Sequence, residues 1–193
     1  MSAIVKKFTR TIPDWQPRVV PVDIETATEA QREALQITPS NAGISPYVLT
    51  LAHDVETLKV RSPLFNAIMY GKDGLSRAER ELGAISASVV NGCIYCAAVH
   101  ATRHAQLEKS TEVTDQLLMA GPDAELSPRN RAIFDFAAAL SACPPKADAA
   151  QLDALRAAGL SEIEIVDLVL SAALFGWANR LMHVLGDPVR RQA

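Results

Sequence analysis

The chain has 193 residues, of which 49% are hydrophobic and 21% are charged, and its formal net charge is −3. This length fits one domain, or one domain with an arm, and is enough to bury a substantial core. No cluster of Lys and Arg forms a basic stripe, so nucleic acid is not an expected partner. Three cysteines are too few for a disulfide framework, but two stand three positions apart and form a candidate reactive pair.

The composition favours packed helices. Aromatic residues make up only 5% of the chain and Ala is abundant, which predicts an all-α fold. The first eight residues lack the apolar run of a signal peptide. The most apolar segment, 163–184, contains Glu164, Asp167 and Arg180, which predicts a buried amphipathic helix and no membrane partner. We therefore expect a cytoplasmic protein, where thiols stay reduced unless they are redox-active.

Residues 1–44 are predicted to form an N-terminal arm. The segment is rich in proline, which fixes φ and removes a hydrogen-bond donor, so we expect it to be extended. Its prolines are Pro13, Pro17, Pro21 and Pro39. One helix is predicted within it, at about 27–35. Such an arm must lie on its own core or on a neighbouring subunit, and residues 45–193 would then form the helical domain.

Three Ser-Pro pairs are predicted helix starts, because Ser is a favoured N-cap and Pro is tolerated at the first helical position. Ser45-Pro46 predicts a helix that continues through Leu58, with His53 on it as a structural residue. Ser62-Pro63 predicts another helix, ending near Gly71 and Gly74. Ser127-Pro128 predicts a third.

Two further segments share the opening Gly-Leu-Ser-x-x-Glu, which is typical of a capping box. The Ser and Glu of each box are Ser76 with Glu79, and Ser161 with Glu164. The similar openings suggest a duplicated helix-turn-helix unit, in which the segment 179–183 would align with 96–100.

The segment 81–104 carries the candidate chemistry. Its first half has helical apolar spacing and is expected to end at Asn91-Gly92, a favoured helix terminator. A second helix would follow and continue to about residue 107. At 100° per residue, one stripe of that helix carries four reactive side chains, namely those of Cys93, Cys96, His100 and His104.

This placement predicts a reactive thiol. Unpaired amides at a helix N-terminus stabilise a thiolate, and His100, one turn beyond Cys96, can take its proton or pair with it. Cys93 is spaced to convert an oxidised Cys96 into a disulfide. Two inert buried thiols are the alternative interpretation.

Other interpretations of the segment follow from the same geometry. A single zinc ion on all four side chains is disfavoured, because 93–104 spans about 16 Å of straight helix. We therefore expect no metal and no cofactor. His104 is interpreted as a surface residue or as a residue that supports the site. Cys143, beside Pro144-Pro145, is interpreted as a packing or loop thiol.

The spacing Glu81-x11-Cys93-x2-Cys96-x3-His100 resembles the alkylhydroperoxidase D-like group of the carboxymuconolactone decarboxylase family, over roughly residues 45–187. The long arm and the C-terminal half resemble its peroxidase-related branch. The resemblance implies a helical bundle, a homo-oligomer and thiol-dependent reduction of hydroperoxides, with a lipoyl- or thioredoxin-type dithiol as reductant. It also implies that Cys96 is the peroxidatic thiol and Cys93 its resolving partner, while His100 and Glu81 form a proton relay.

One position departs from the best-known peroxidases of this group. They carry His just before the second cysteine, where this chain has Tyr95. A phenol with a pKa near 10 donates a hydrogen bond but is a poor proton shuttle at neutral pH. Two other functions stay open: acid/base chemistry of the decarboxylase type through Glu81 and His100, and a redox-responsive oligomer without turnover.

Overall fold

Helices dominate the computed structural model, which describes residues 3–36 and 43–191. The predicted all-α fold is confirmed, and it is accompanied by an unpredicted two-stranded antiparallel sheet, in which Asp14 lies opposite Val189. Pro39 of the arm lies outside the described residues. The elements in chain order are β1 (Asp14–Pro17), α1 (Glu29–Gln36), α2 (Pro46–Leu51), α3 (Val55–Tyr70), α4 (Arg77–Val90), α5 (Ile94–Glu108), α6 (Glu112–Ala120), α7 (Pro128–Ser141), α8 (Ala149–Ala157), α9 (Glu162–Leu185) and β2 (Gly186–Val189).

The centre of the fold is α4, which packs against α5, α7 and α9. Gly83 allows the close approach of α4 to α9, because a Cβ there would stand 2.9 Å from Leu168 Cδ1 and 3.0 Å from Ser171 Oγ. The main core cluster around this contact buries aliphatic and aromatic side chains, among them Leu82, Ile85, Ile133, Phe134 and Leu168. Because α4 is buried on nearly every face, the neighbouring helices hold its polar side chains in place.

The described part of the arm lies on its own chain. Besides the β1–β2 pairing, the amide of Val22 donates to Leu49 O (3.1 Å), and His53 Nε2 is 2.8 Å from Val20 O. Trp15 of β1 is buried in a second core cluster that also contains Cys93 and Cys96. The helix of the arm, α1, begins and ends within two residues of the predicted range.

Two predicted helix boundaries in the segment after the arm are wrong. The helix opened by Ser45 ends at Leu51, and α3 begins after Asp54, whose side chain accepts from the amide of Thr57 (3.0 Å). His53 therefore lies in the intervening turn and not on a helix. Pro63 stands on the exposed side inside α3, with no new helix start, because Asp54 is the effective cap and the buried side chains of Leu58 and Met69 hold the helix to the core before and after it.

The other predicted helix starts are confirmed. Ser127 caps α7, and both capping boxes form at the starts of α4 and α9. Arg129 links the two boxes, since it donates to Glu79 and, at 2.9 Å, to Glu164. The predicted duplication is not reproduced in full: α9 is continuous where the alignment would require a second Asn91-Gly92 turn.

Helix α9 is long and apolar enough, by length and composition alone, to cross a membrane. The mean hydropathy of its most apolar 18-residue window is 1.4, and 56% of that window is buried inside the protein. Ser171 and Asn179 of this helix are fully buried against the rest of the fold. In this structure α9 is therefore a largely buried helix that packs against the core.

Candidate active site

The candidate site begins at the turn between α4 and α5. Helix α4 ends at Val90, as predicted, and Gly92 adopts φ +69°, a left-handed conformation that glycine allows without strain. The amide of Cys93 donates to Ser88 O at 2.8 Å, which closes the turn. Cys93 occupies the N-cap position of α5, so the thiols stand in its first turn, as the sequence predicts.

Cys93 and Cys96 are brought together. Both are free thiols, exposed by only 4% and 6%, and their Sγ atoms lie 2.8 Å apart within hydrogen-bonding distance. A disulfide would need about 2.05 Å, so the pair is reduced but in direct contact. Little movement separates the dithiol from the disulfide.

The two thiols differ in acidity. Sharing a hydrogen bond with Cys96 lowers the pKa of Cys93, although burial opposes this effect. The same hydrogen bond and burial raise the pKa of Cys96 well above its usual value. In this arrangement the first proton is lost most readily from Cys93, with Cys96 as the donor that stabilises the thiolate.

Glu81 and His100 form a buried pair between α4 and α5. His100 Nδ1 hydrogen-bonds to Glu81 Oε2, and Arg77 Nε donates to Glu81 Oε1 at 2.9 Å. Burial alone would raise the pKa of Glu81, but His100 and Arg77 together outweigh it and lower the pKa to about 2. The carboxylate is therefore ionised at neutral pH and fixes the orientation of the imidazole. The ring of Phe175 packs against the imidazole of His100, and the two ring centroids lie 4.1 Å apart.

The contact predicted between His100 and the thiols is not formed as a hydrogen bond in the described part of the chain. His100 uses Nδ1 for Glu81, which leaves Nε2 as the nitrogen available for proton exchange. Arg77 was missed from the sequence, although its position four residues before Glu81 on one helix is the spacing of an ion pair. No local sequence pattern indicates that Phe175 contacts His100.

The remaining candidate residues occupy different environments. His104 is buried, which contradicts the surface interpretation. Its Nδ1 has no hydrogen-bond partner among the described residues, and burial lowers its pKa. Tyr95 is partly buried beside the thiols, and burial raises its pKa. Cys143 is an exposed thiol in the loop after α7.

A cavity of about 360 Å³ gives access to the site. Its walls come from the arm, from the α4–α5 turn and from the C-terminal segment, and they include Trp15, Cys93, Tyr95, Met182 and Pro188. Cys93 reaches this cavity, whereas Cys96 lies behind it. Within residues 3–36 and 43–191, no group of three or more His, Cys, Asp or Glu side chains is arranged to hold a metal ion.

Comparison with known proteins finds a family match over part of the chain. Residues 56–137 match the model of the Carboxymuconolactone decarboxylase family. An alkylhydroperoxidase AhpD core from Ralstonia eutropha JMP134, described as an uncharacterized peroxidase-related protein, is 28% identical, with a TM-score of 0.75 over 90% of each chain. An uncharacterized peroxidase-related protein from Silicibacter sp. TM1040 is 25% identical, with a TM-score of 0.73 over 88% of this chain and 91% of that one.

The apo debrominase Bmp8 shares the fold, with a TM-score of 0.74 at 19% identity over 91% of this chain and 92% of that one. A search of curated proteins finds no match to the chain. The fold is that of the AhpD-like helical proteins, and the resemblance predicted from Glu81, Cys93, Cys96 and His100 is confirmed. The chain therefore resembles the carboxymuconolactone decarboxylase family over residues 56–137, and peroxidase-related proteins are among its structural neighbours.

Proposed function

We propose that this protein reduces organic hydroperoxides through a cycle between the Cys93–Cys96 dithiol and its disulfide. Family and fold support a peroxidase-related or a decarboxylase-like enzyme. The observation that favours the peroxidase is the 2.8 Å contact between the two Sγ atoms at the start of α5. Acid/base chemistry on a lactone would have no use for two thiols in contact.

The proposed reaction has two steps. A thiolate attacks one peroxide oxygen, so that the O–O bond breaks, an S–O bond forms and the other oxygen leaves as the alcohol after taking a proton. The second thiol then attacks the sulfenic sulfur, an S–S bond forms and water leaves. The thiols supply both electrons, and a dithiol reductant of the lipoyl or thioredoxin type restores them by exchange.

His100 and Glu81 are proposed to carry the protons. With Nδ1 held by the ionised Glu81, Nε2 of His100 can accept a thiol proton and later deliver it to the leaving oxygen. Arg77 helps to keep Glu81 charged, so that Glu81 holds the imidazole of His100 in one orientation. Tyr95 borders the cavity and is proposed to donate a hydrogen bond there, while His104 supports the site from the next turn of α5.

The family resemblance and the geometry assign the attack on the peroxide to different thiols. The family resemblance implies that Cys96 attacks the peroxide and Cys93 resolves it. The lowered pKa of Cys93 and its place in the cavity wall favour Cys93 for the attack in the conformation described. We propose the family order, with the cavity-facing Cys93 then exposed to the external reductant. The serine variants discussed below distinguish the two orders.

Mass spectrometry of the intact protein after treatment with cumene hydroperoxide tests the cycle. We expect a loss of two hydrogens, which Cys93→Ser and Cys96→Ser each abolish. Cys143→Ser is the matched control, because it removes the exposed third thiol and should leave the oxidation unchanged. Two free thiols that persist under excess hydroperoxide would overturn the proposal, and turnover of a muconolactone by a double Cys→Ser variant would favour the decarboxylase.

We also propose a cytoplasmic homo-oligomer, without a nucleic-acid or membrane partner. Exposed apolar side chains on the outer faces of α3 and α9 support self-association, namely Val60, Leu64, Ile163, Val166 and Leu170. Light scattering on the purified protein measures the subunit number directly. A monomer at all concentrations would contradict this part of the proposal.

A further inference from the structure

A second cavity, of about 490 Å³, lies on another side of the molecule and shares no lining residue with the cavity at Cys93. It is enclosed by α2, the first half of α3 and the last turns of α9. Its walls are mainly apolar and include Leu51, Leu58, Trp177, Leu181 and Leu185. Both its volume and its lining are ordinary for a pocket that holds a small organic molecule.

One charged side chain, Arg61, faces this cavity without an anionic partner among the described residues. Its Nε is buried and makes no hydrogen bond, and its guanidinium carbon lies 4.7 Å from the ring centroid of Phe65 and 5.9 Å from that of Tyr47. A guanidinium keeps its charge in proteins, so this site has a partly buried cation but no counter-ion.

The hydroxyl of Tyr47 lies beside the Arg61 guanidinium, and its oxygen can accept a hydrogen bond from it. The buried O–H of Tyr47 itself has no acceptor among the described residues. Burial raises the pKa of Tyr47 to about 12, so the phenol remains a donor at neutral pH. Two neighbouring donors therefore lack an acceptor, and buried donors normally have one.

The other ionisable groups of the cavity already have partners. Asp54 accepts from the amide and the hydroxyl of Thr57, and His53 bonds to Val20 O. Both are exposed and stand before or at the start of α3, two turns from Arg61. The negative charge of Asp54 therefore leaves the deeper, positive end of the cavity uncompensated.

We propose that this cavity binds an organic carboxylate with an apolar body, whose carboxylate accepts hydrogen bonds from Arg61. The body lies against Leu58, Trp177 and Leu181. Tyr47 and Leu58 also belong to the buried cluster that contains Cys93 and Cys96, so the bound anion stands next to the thiol site without occupying its cavity. This binding site does not depend on the proposed peroxidase activity.

Calorimetric titration with octanoate, and with 1-octanol as the uncharged ligand of equal length, tests the proposal. We expect the full chain to bind octanoate more tightly than octanol. Arg61→Gln should weaken octanoate binding at least about tenfold and leave octanol unchanged, as expected for the loss of a charge-assisted contact.

Lys59→Gln is the matched control, since it removes one positive charge from the same helix outside the cavity and should leave octanoate binding unchanged. Leu181→Trp fills the cavity and should abolish the binding of both ligands. If Arg61→Gln does not fold, Arg61→Lys keeps the charge but loses the planar fork, and intermediate affinity is expected.

Equal affinity for octanoate and octanol, or unchanged octanoate binding by Arg61→Gln, would overturn the proposal. So would a change in the oligomeric mass of the ligand-free Arg61→Gln variant, because the acceptor for Arg61 would then be a carboxylate of a second subunit. Thermal unfolding of each variant confirms that the comparison is made between folded proteins.

Discussion

Glu81 on α4 and His100 on α5 share a hydrogen bond in the interior of the protein, across the turn that also places the thiols. Both side chains are almost completely removed from water. An ionised carboxylate is stable there only because His100 and Arg77 compensate it on both oxygens. The pair therefore contributes to the stability of the fold as well as to the proposed chemistry.

The first prediction concerns Glu81 and pH. Because the pKa of Glu81 is lowered to about 2 in the folded protein, its stabilising contribution is complete above its unfolded value near 4.5 and is lost as the pH falls towards 2. Glu81→Gln should lower the unfolding free energy by on the order of 3 kcal/mol at pH 7. Urea unfolding at several pH values measures the difference, which should shrink in acid. Glu33→Gln, on an exposed face of α1, is the control; a difference independent of pH would contradict the assignment.

The second prediction concerns the hydrogen bond between the thiols. Cys96 lowers the pKa of Cys93 by donating to its thiolate. Cys96→Ala removes the donor and should raise the pKa of Cys93, whereas Cys96→Ser keeps a donor and should raise it less. Thiolate absorbance against pH, measured in a Cys143→Ser background, gives the pKa of the remaining thiol. Identical values for the two variants would show that the contact does not control the acidity of Cys93.

The same serine variants assign the order of attack. After hydroperoxide treatment, a sulfenic acid trapped by dimedone should form on Cys96 in the Cys93→Ser protein if the family order holds. Faster trapping on Cys93 in the Cys96→Ser protein would instead assign the attack to the cavity-facing thiol. The relative labelling rates decide between the two orders.

The third prediction concerns the cover over the cavity. Trp15 of β1 is only 6% exposed, lines the cavity beside Cys93 and packs edge-on against Tyr47 at 5.7 Å. Trp15→Ala should open the cavity and speed the alkylation of Cys93 by iodoacetamide several-fold, again in a Cys143→Ser background. Val20→Ala, at an arm position that is 80% exposed, should leave the rate unchanged. An equal rate in both variants would show that the arm does not limit access.

The fourth prediction concerns Arg129, which joins the capping boxes of α4 and α9. Arg129→Ala removes ion pairs to Glu79 and Glu164, and its side chain is about one-third exposed, so solvent weakens both pairs. We expect a loss of about 1 kcal/mol in unfolding free energy, because two pairs to helix starts are lost together. Arg156→Ala, whose partners are largely exposed, should cause little change. Thermal unfolding ranks the two variants.

Much of the site could be predicted because it is encoded locally. Helical spacing places Cys93, Cys96 and His100 on one stripe, and Asn91-Gly92 marks the turn before them. The contact between Glu81 and His100 followed from the family resemblance, not from spacing, because it joins two helices. The thiol acidities depend on the hydrogen bond between Cys93 and Cys96 and on the burial of both, which no pattern in the sequence reports.

The wrong or missing predictions concern features that are decided by contacts outside the local segment. Ser62-Pro63 carries the local signal of a helix start, but the stronger cap at Asp54 and the burial of Leu58 and Met69 extend α3 through it. The position of the arm depends on β1 pairing with β2, two segments far apart in the chain. Pairing at such a distance leaves no periodic signal in either segment.

The pairing of β1 with β2 also has a consequence for how the protein is made. The chain emerges from the ribosome from its N-terminus, so β2 becomes available well after β1, α4 and α5. Contacts between such distant segments form late, because a large loop must close first. The α4–α5 turn can therefore form before the sheet covers Cys93, so this thiol is more accessible in the unfinished chain than in the folded protein.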